Sequence, residues 1–133
     1  MIGYSWLSKD LVLAVHGEQL FEHGGPDGVS NMKLLDSSLE RPQLMFTDEA
    51  CSDPAVLAAA YAFEIAQNRP FVDGKKRMAL LSAEMFLEMN GYQLTATDMD
   101  CAVTILGLVD GTLPENELVE WFQKNVKPMG VEG

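Results

Sequence analysis

Four of the nine Lys and Arg residues in this 133-residue chain fall within residues 69–77, RPFVDGKKR. Gly74 precedes Lys75, Lys76 and Arg77, and an apolar sequence follows. A helix that begins at residue 75 carries these cations in its electropositive first turn, at a cost of roughly a few tenths of a kcal/mol each. A bound anion would remove that conflict, because a glycine turn that opens a helix exposes backbone N–H groups to phosphate.

Asp73 adds a ligand that phosphate chemistry uses. A carboxylate beside a phosphate cradle can hold a magnesium ion on the phosphates. The alternative is an Asp-Gly turn followed by a solvated basic patch, which explains the turn but not why it begins the most apolar helix of the chain. The spacing therefore favours an anion site at residues 73–77.

The elements that must position this segment are helices, because turn residues divide the chain into helix-length pieces. We predict an all-α fold, a single compact bundle of about six helices whose buried central helix covers about residues 75–90. The domain covers residues 1–128, and residues 129–133 form a flexible C-terminal tail. The other predicted helices are 8–23, 31–41 (stopped before Pro42), one from Pro54 to a point before Pro70, 97–110 and 112–127.

Two sets of apolar side chains are predicted to face the core, because each recurs at helical spacing. On the central helix the stripe is attributed to core packing rather than to a cofactor site. The sets are Val103, Leu106 and Val109 on the fifth helix, and Met78, Met85 and Met89 on the fourth.

The charge balance limits the kinds of partner. Twenty acidic and nine basic residues give a net charge of -11, which argues against direct nucleic-acid binding and against an anionic membrane surface. A cationic protein partner is one interpretation. The other is that the charge only keeps the protein soluble.

The sequence has no basic leader and no apolar stretch long enough to span a membrane, so a cytoplasmic location is expected. Cys51 and Cys101 lie outside any Cys/His metal pattern. Both are expected to be reduced, buried thiols.

Residues 69–77 resemble the signature of the Fic/Doc superfamily, whose Doc branch carries His-x-Phe-x-Asp-Gly-Asn-Lys-Arg between two helices. Seven of the nine positions agree, counting the two variable ones. The resemblance covers nearly the whole chain. Its further landmarks are residues 6–8, His16, Gly24 and Gly25, Gly28 and Val29, and residues 34–42, 58–63 and 86–92.

The resemblance implies the toxin of a type II toxin–antitoxin module, a kinase that transfers phosphate from ATP to a translation elongation factor and arrests translation. It implies ATP and Mg2+ as cofactors, and a cognate antitoxin whose disordered C-terminal segment binds the domain. Position by position, Phe71 anchors the loop, Asp73 binds magnesium, Gly74 admits the phosphate, and Lys76 and Arg77 neutralise its charge.

Two positions depart from that signature. Arg69 stands at the catalytic histidine, and a guanidinium cannot act as a general base. Lys75 stands at the asparagine of the phosphate cradle. The chain is therefore expected to be inactive or attenuated as a kinase. A catalytically silent binding module for the antitoxin or for operon regulation is one alternative. A protein AMPylating enzyme is the other, although Lys76 stands where such enzymes usually have a glycine.

Two polar residues outside the signature are candidates for a role. His16 is expected to be structural rather than a substitute base. Glu64 either pairs with Arg69 or Arg77 or lies on a solvated face.

Overall fold

The computed structural model describes residues 3–23, 31–68 and 75–130, apart from the side chains of residues 19–23 and 75–77. The predicted helical bundle is confirmed, with a small two-stranded sheet in addition. The elements are α1 (Lys9–His23), α2 (Met32–Asp48), α3 (Pro54–Asn68), α4 (Lys75–Met89), β1 (Tyr92–Leu94), α5 (Asp98–Asp110), α6 (Glu115–Asn125) and β2 (Val126–Pro128).

The core is centred on α3 and α4. Six alanines of α3 are buried, and such small side chains let neighbouring helices approach closely. The helix packs against α2, α4, α5 and α6. On α4, Met78, Phe86 and Leu87 are fully buried, as expected for the predicted central helix. Met89, in contrast, is 43% exposed, so its assignment to the core was wrong.

Helix α2 is longer than predicted. It continues through Pro42 to Asp48, although a proline inside a helix removes one hydrogen bond and costs about 3 kcal/mol. Both Pro42 and Met45 are buried, and packing of this second half of the helix offsets the cost. The prediction of a stop before Pro42 was therefore wrong, because tertiary packing outweighs local propensity here.

Helix α5 buries a different face from the predicted one. Thr104 and Leu108 are its buried residues, whereas Val103 is 61% and Leu106 is 55% exposed. The helix has apolar residues on nearly every side, so periodicity alone does not define which face turns inward. Contacts with α3 and α4 select the face that contains Thr104.

The two strands were not predicted. β1 and β2 pair antiparallel, with Leu94 opposite Val126 and Tyr92 opposite Pro128. The sixth helix therefore ends at Asn125, two residues before the predicted end. Three-residue strands are too short for an alternating pattern to appear in a sequence. Within the predicted tail, Met129 donates its N–H to the carbonyl of Gly91 at 2.8 Å, and residues 131–133 lie outside the described residues.

The N-terminal segment packs as an extended chain against α3 and α4. Asn90 holds it at two points, accepting from Ser5 N at 2.7 Å and donating to Ser5 O at 2.9 Å. The Leu7 N–H donates to the hydroxyl of Tyr61 at 3.2 Å. The ring of Trp6 stacks on Phe86 with centroids 5.6 Å apart. These contacts tie the start of the chain to the core.

None of the helices within the described ranges is long and apolar enough to cross a lipid bilayer.

Candidate functional site

The structure describes only part of the predicted signature, the backbone of residues 75–77. Arg69, Phe71, Asp73 and Gly74 lie outside the described residues, so their predicted roles stay predictions. Helix α4 begins at Lys75 and has no acidic residue in its first turn. The backbone of residues 75–77 therefore forms the electropositive first turn of a largely buried helix, as the charge argument requires.

The segment that precedes the signature is the end of α3, and its last residue is Asn68. The Asn68 carboxamide donates to Ser38 Oγ at 2.9 Å and to Glu64 Oε2 at 3.2 Å. Ser38 is buried and donates in turn to the carbonyl of Leu34 at 2.7 Å. The final turn of α3 is thus fixed to α2 by side-chain hydrogen bonds, immediately before the signature begins.

Arg41 extends this network to a third helix. Its Nη1 and Nη2 atoms donate to the two carboxylate oxygens of Glu115, at 2.6 and 3.0 Å. Nη1 also lies 3.1 Å from Glu64 Oε1. Hydrogen bonding to Glu115 raises the pKa of Arg41, although partial burial acts in the opposite direction. One guanidinium therefore joins α2, α3 and α6 through charge-assisted bonds, which are stronger than neutral ones.

Arg41 was not among the partners that the sequence predicted for Glu64. Arg41 lies 23 positions before Glu64, and the expectation that α2 would end at residue 41 hid its place in mid-helix. Ser38 and Arg41 are three residues apart on α2, so both lie on the face that meets α3. A helix continued through Pro42 would have revealed this polar face. Within the described residues the cluster of Arg41, Glu64 and Glu115 carries one positive and two negative charges.

His16 is only 2% exposed, on α1. A buried position agrees with the structural role expected for it, and that role stays a prediction.

No group of three or more His, Cys, Asp or Glu residues suited to a metal ion occurs in the described parts of the chain. Cys51 and Cys101 are free thiols and are half-buried. Burial raises the pKa of Cys101, and the carboxylates of Glu84, Asp98 and Asp100 raise it further. This thiol is therefore a poor nucleophile.

A shallow pocket of about 260 Å³ lies between α5 and α6. Its lining residues belong to these two helices and their connection, not to the ends of α3 and α4 that frame the signature. They are Thr104, Leu113, Glu117, Glu120, Trp121 and Lys124.

The model of the Fic/DOC family matches residues 6–87. This match takes in α1 to α3, nearly all of α4 and the whole of residues 69–77. The chain belongs to the Fic/DOC family. The resemblance noted in the sequence is thereby confirmed, and the polar network at the end of α3 is a feature of a Fic/DOC domain.

Two relatives indicate which branch of the Fic/DOC family this chain resembles. The protein kinase doc of Escherichia phage P1 is 31% identical over 88 residues, which cover 66% of this chain and 70% of that protein. The toxin Doc of Mycolicibacterium smegmatis is 38% identical over 88 residues, covering 65% of this chain and 68% of that protein. Within the family, these matches support a Doc-type toxin.

Proposed function

We propose that the chain is the toxin of a type II toxin–antitoxin module and a Doc-type kinase, which transfers phosphate from ATP to a hydroxyl of a translation elongation factor. The observation that carries the proposal is the start of α4. Residues 75–77 put three cations into the first turn of this helix, inside the segment that the family model matches. An anionic substrate resolves the electrostatic conflict that this placement creates.

The residues present suit ATP and magnesium. Asp73 offers the carboxylate that Mg2+ prefers, and Gly74 leaves the backbone open to phosphate. Lys76 and Arg77 bring positive charge to the same turn, and the family resemblance gives Phe71 the role of anchoring the loop. ATP supplies the phosphoryl group, and the protein contributes positioning and charge neutralisation, which dominate catalysis of this reaction class.

Arg69 limits the expected activity. At neutral pH its guanidinium stays protonated and cannot accept the proton of an attacking hydroxyl. Loss of a general base costs a factor on the order of 10² to 10⁴ in rate. Lys75 adds a second charge where a neutral amide is expected. The chain as it stands is therefore an attenuated or inactive kinase that retains its nucleotide site.

Nucleotide binding tests the site without requiring turnover. Calorimetric titration of the full chain with ATP and Mg2+ is expected to show binding that Asp73→Asn and Lys76→Ala weaken. Lys127→Ala, an exposed lysine on β2, is the matched control and should leave binding unchanged. An absence of nucleotide binding by the unaltered chain would refute the proposed site.

Reversion tests the catalytic half. Arg69→His and Lys75→Asn, singly and together, are expressed in a bacterial host and scored for growth arrest. Toxicity that appears only on reversion supports an inactivated kinase. Mass spectrometry of the modified target then separates an added phosphate from an added AMP, and an added AMP would support the AMPylating alternative.

A second candidate function is a catalytically silent binding module for the antitoxin or for operon regulation. Arg69 is the observation that favours it, because the fold persists without the catalytic base. Growth that continues with every reverted chain, together with intact antitoxin binding, would support this module over the kinase.

The proposed partner is a cognate antitoxin whose disordered C-terminal segment folds on this domain, in the cytoplasm. Ordering such a segment costs conformational entropy that the interface must offset. Calorimetry with the product of the neighbouring gene tests the complex. No measurable heat and no co-elution would contradict it.

A further inference from the structure

The most exposed apolar side chains of the described residues lie together on one helix. Met99 is 73% exposed, Val103 is 61% and Leu106 is 55%, and no other large hydrophobic residue among those described exceeds 50%. Their spacing of four and three residues places them on one face of α5. We call these three residues the α5 stripe.

The α5 stripe is not the face that holds the helix in place. Thr104 and Leu108 are buried and point away from the stripe on the helical wheel, and α5 packs against α3 and α4. Contiguous apolar surface on the outside of a soluble domain marks an interaction site more often than scattered exposed residues do. Three neighbouring positions on one free face meet that description.

Four carboxylates lie near the start of α5, where the stripe begins. Asp98 and Asp100 lie in the first turn of α5, and Glu84 and Glu88 lie on the neighbouring α4. We call these four residues the acidic rim. Their charges interact: burial raises the pKa of Glu84, and Glu88 and Asp98 raise it further. Among the described residues, none of the four forms an ion pair.

Helix dipoles explain the positions of two of the four rim residues, Asp98 and Asp100. Acids in the first turn of α5 are favourable, whereas Glu88 lies in the last turn of α4, where the dipole is negative and no basic residue lies in that turn. Like charges that gather near an apolar face, with no ion pair to another described residue, are complementary to a partner that carries positive charge.

We propose that the α5 stripe docks an amphipathic helix of a partner protein, with apolar residues on the stripe and Lys or Arg residues toward the acidic rim. A helix lying in an apolar groove or on an apolar face is a common mode of recognition. A second copy of this chain fits less well, because a symmetric contact through the stripe would bring two acidic rims together in a protein of net charge -11. The proposal is independent of phosphate transfer.

The test uses a synthetic, fluorescently labelled helical peptide of about 18 residues, five turns, with a leucine seam flanked by arginines. A second peptide keeps the seam and replaces the arginines with glutamates. Fluorescence anisotropy with the full chain is expected to show binding of the first peptide only. The double variant Val103→Gln, Leu106→Gln should weaken binding about tenfold or more, as for anchor residues of an interface.

Matched variants distinguish binding at the stripe from nonspecific apolar or electrostatic attraction of the peptide to the protein. Leu44→Gln removes an apolar residue of α2 that is 44% exposed and should leave binding unchanged. Glu88→Gln with Asp100→Asn should weaken binding more than Asp10→Asn with Glu49→Gln, which removes the same charge elsewhere. Equal effects of the two pairs, or full binding by the stripe variant, would overturn the proposal.

Two further measurements complete the test. Sedimentation of the full chain is expected to show a monomer, and a dimer that the stripe variant abolishes would assign the face to a second copy and overturn the proposal. The stripe variant should bind ATP and Mg2+ as the unaltered chain does. Loss of peptide docking therefore leaves the nucleotide site intact, and failure of one proposal does not imply failure of the other.

Discussion

Arg41 and Glu115 form a two-point ion pair, with Nη1 2.6 Å from Oε2 and Nη2 3.0 Å from Oε1. Glu115 is the first residue of α6, where a carboxylate is favoured by the helix dipole. The same guanidinium reaches Glu64 on α3. The turn of α3 that leads into residues 69–77 is thus held through a side chain of α2.

Removing this guanidinium should destabilise the fold. Arg41→Ala leaves two half-buried carboxylates facing each other, and we expect a loss of about 2 kcal/mol, between the values for surface and buried pairs. Arg41→Lys should recover only part of it, because an ammonium group cannot make the two-point contact. Urea unfolding measures both.

Lys9→Ala serves as the control for Arg41. Lys9 pairs with Asp36 at 3.2 Å, with both side chains about half exposed, and such a pair contributes about 0 to 1 kcal/mol. Equal losses for the two variants would show that the Arg41 cluster has no special weight.

Asn90 should govern the attachment of the N-terminal segment. Asn90→Ala removes both contacts with Ser5 and the bond from Nδ2 to the Phe86 carbonyl, and we expect a loss of about 1 to 3 kcal/mol. Amide exchange at Leu7 should accelerate. The exposed Asn116→Ala is the control, and similar exchange in both variants would contradict the assignment.

Glu84 should give the fold a pH dependence of a defined sign. Its pKa is raised, chiefly by burial and then by Glu88 and Asp98, so the folded state prefers the protonated acid. The resulting penalty is absent below the ordinary carboxyl pKa and present above the raised one. Glu84→Gln should therefore stabilise the protein at neutral pH, and this gain should vanish in acid.

Thermal unfolding at several pH values tests that prediction. Glu49→Gln, on an exposed residue that follows α2, should show no comparable gain. A stabilisation by Glu84→Gln that persists unchanged in acid would rule out the proposed titration.

Substitution by alanine should change the stability of the fold in opposite directions at two glycines. Gly111 caps α5 with φ of 80°, a left-handed conformation that costs an L-residue roughly 1 kcal/mol. Gly17 lies within α1 with open space around its Cα, so Gly17→Ala should stabilise by about 0.5 to 1 kcal/mol. Melting temperatures of the two variants check the signs, and a shift of both in one direction would contradict this account.

Local chemistry made several elements predictable from the sequence. Pro54 at the first position of α3 and a glycine in the sequence directly before the first residue of α4 are local signals of where a helix begins. The family match then supports the position of the signature. The charge pattern of residues 75–77 could likewise be interpreted from the sequence alone, because it depends on where one helix begins.

What could not be predicted depends on contacts between distant parts of the chain. Pro42 continues α2 because its neighbours are buried against the core. Val103 faces outward because α3 and α4 select another face of α5. Arg41 contacts Glu115 only after α6 has packed, and no local sequence pattern predicts such a pair.

The contact between Arg41 and Glu115 also depends on the order in which the chain is synthesised. Glu115 is translated 74 residues after Arg41, so the pair cannot form before the first residue of α6 has been made. Until then Glu64 is the one acidic partner of this guanidinium among the described residues. A nascent chain that contains residues 69–77 but not yet α6 therefore lacks the Arg41–Glu115 bond.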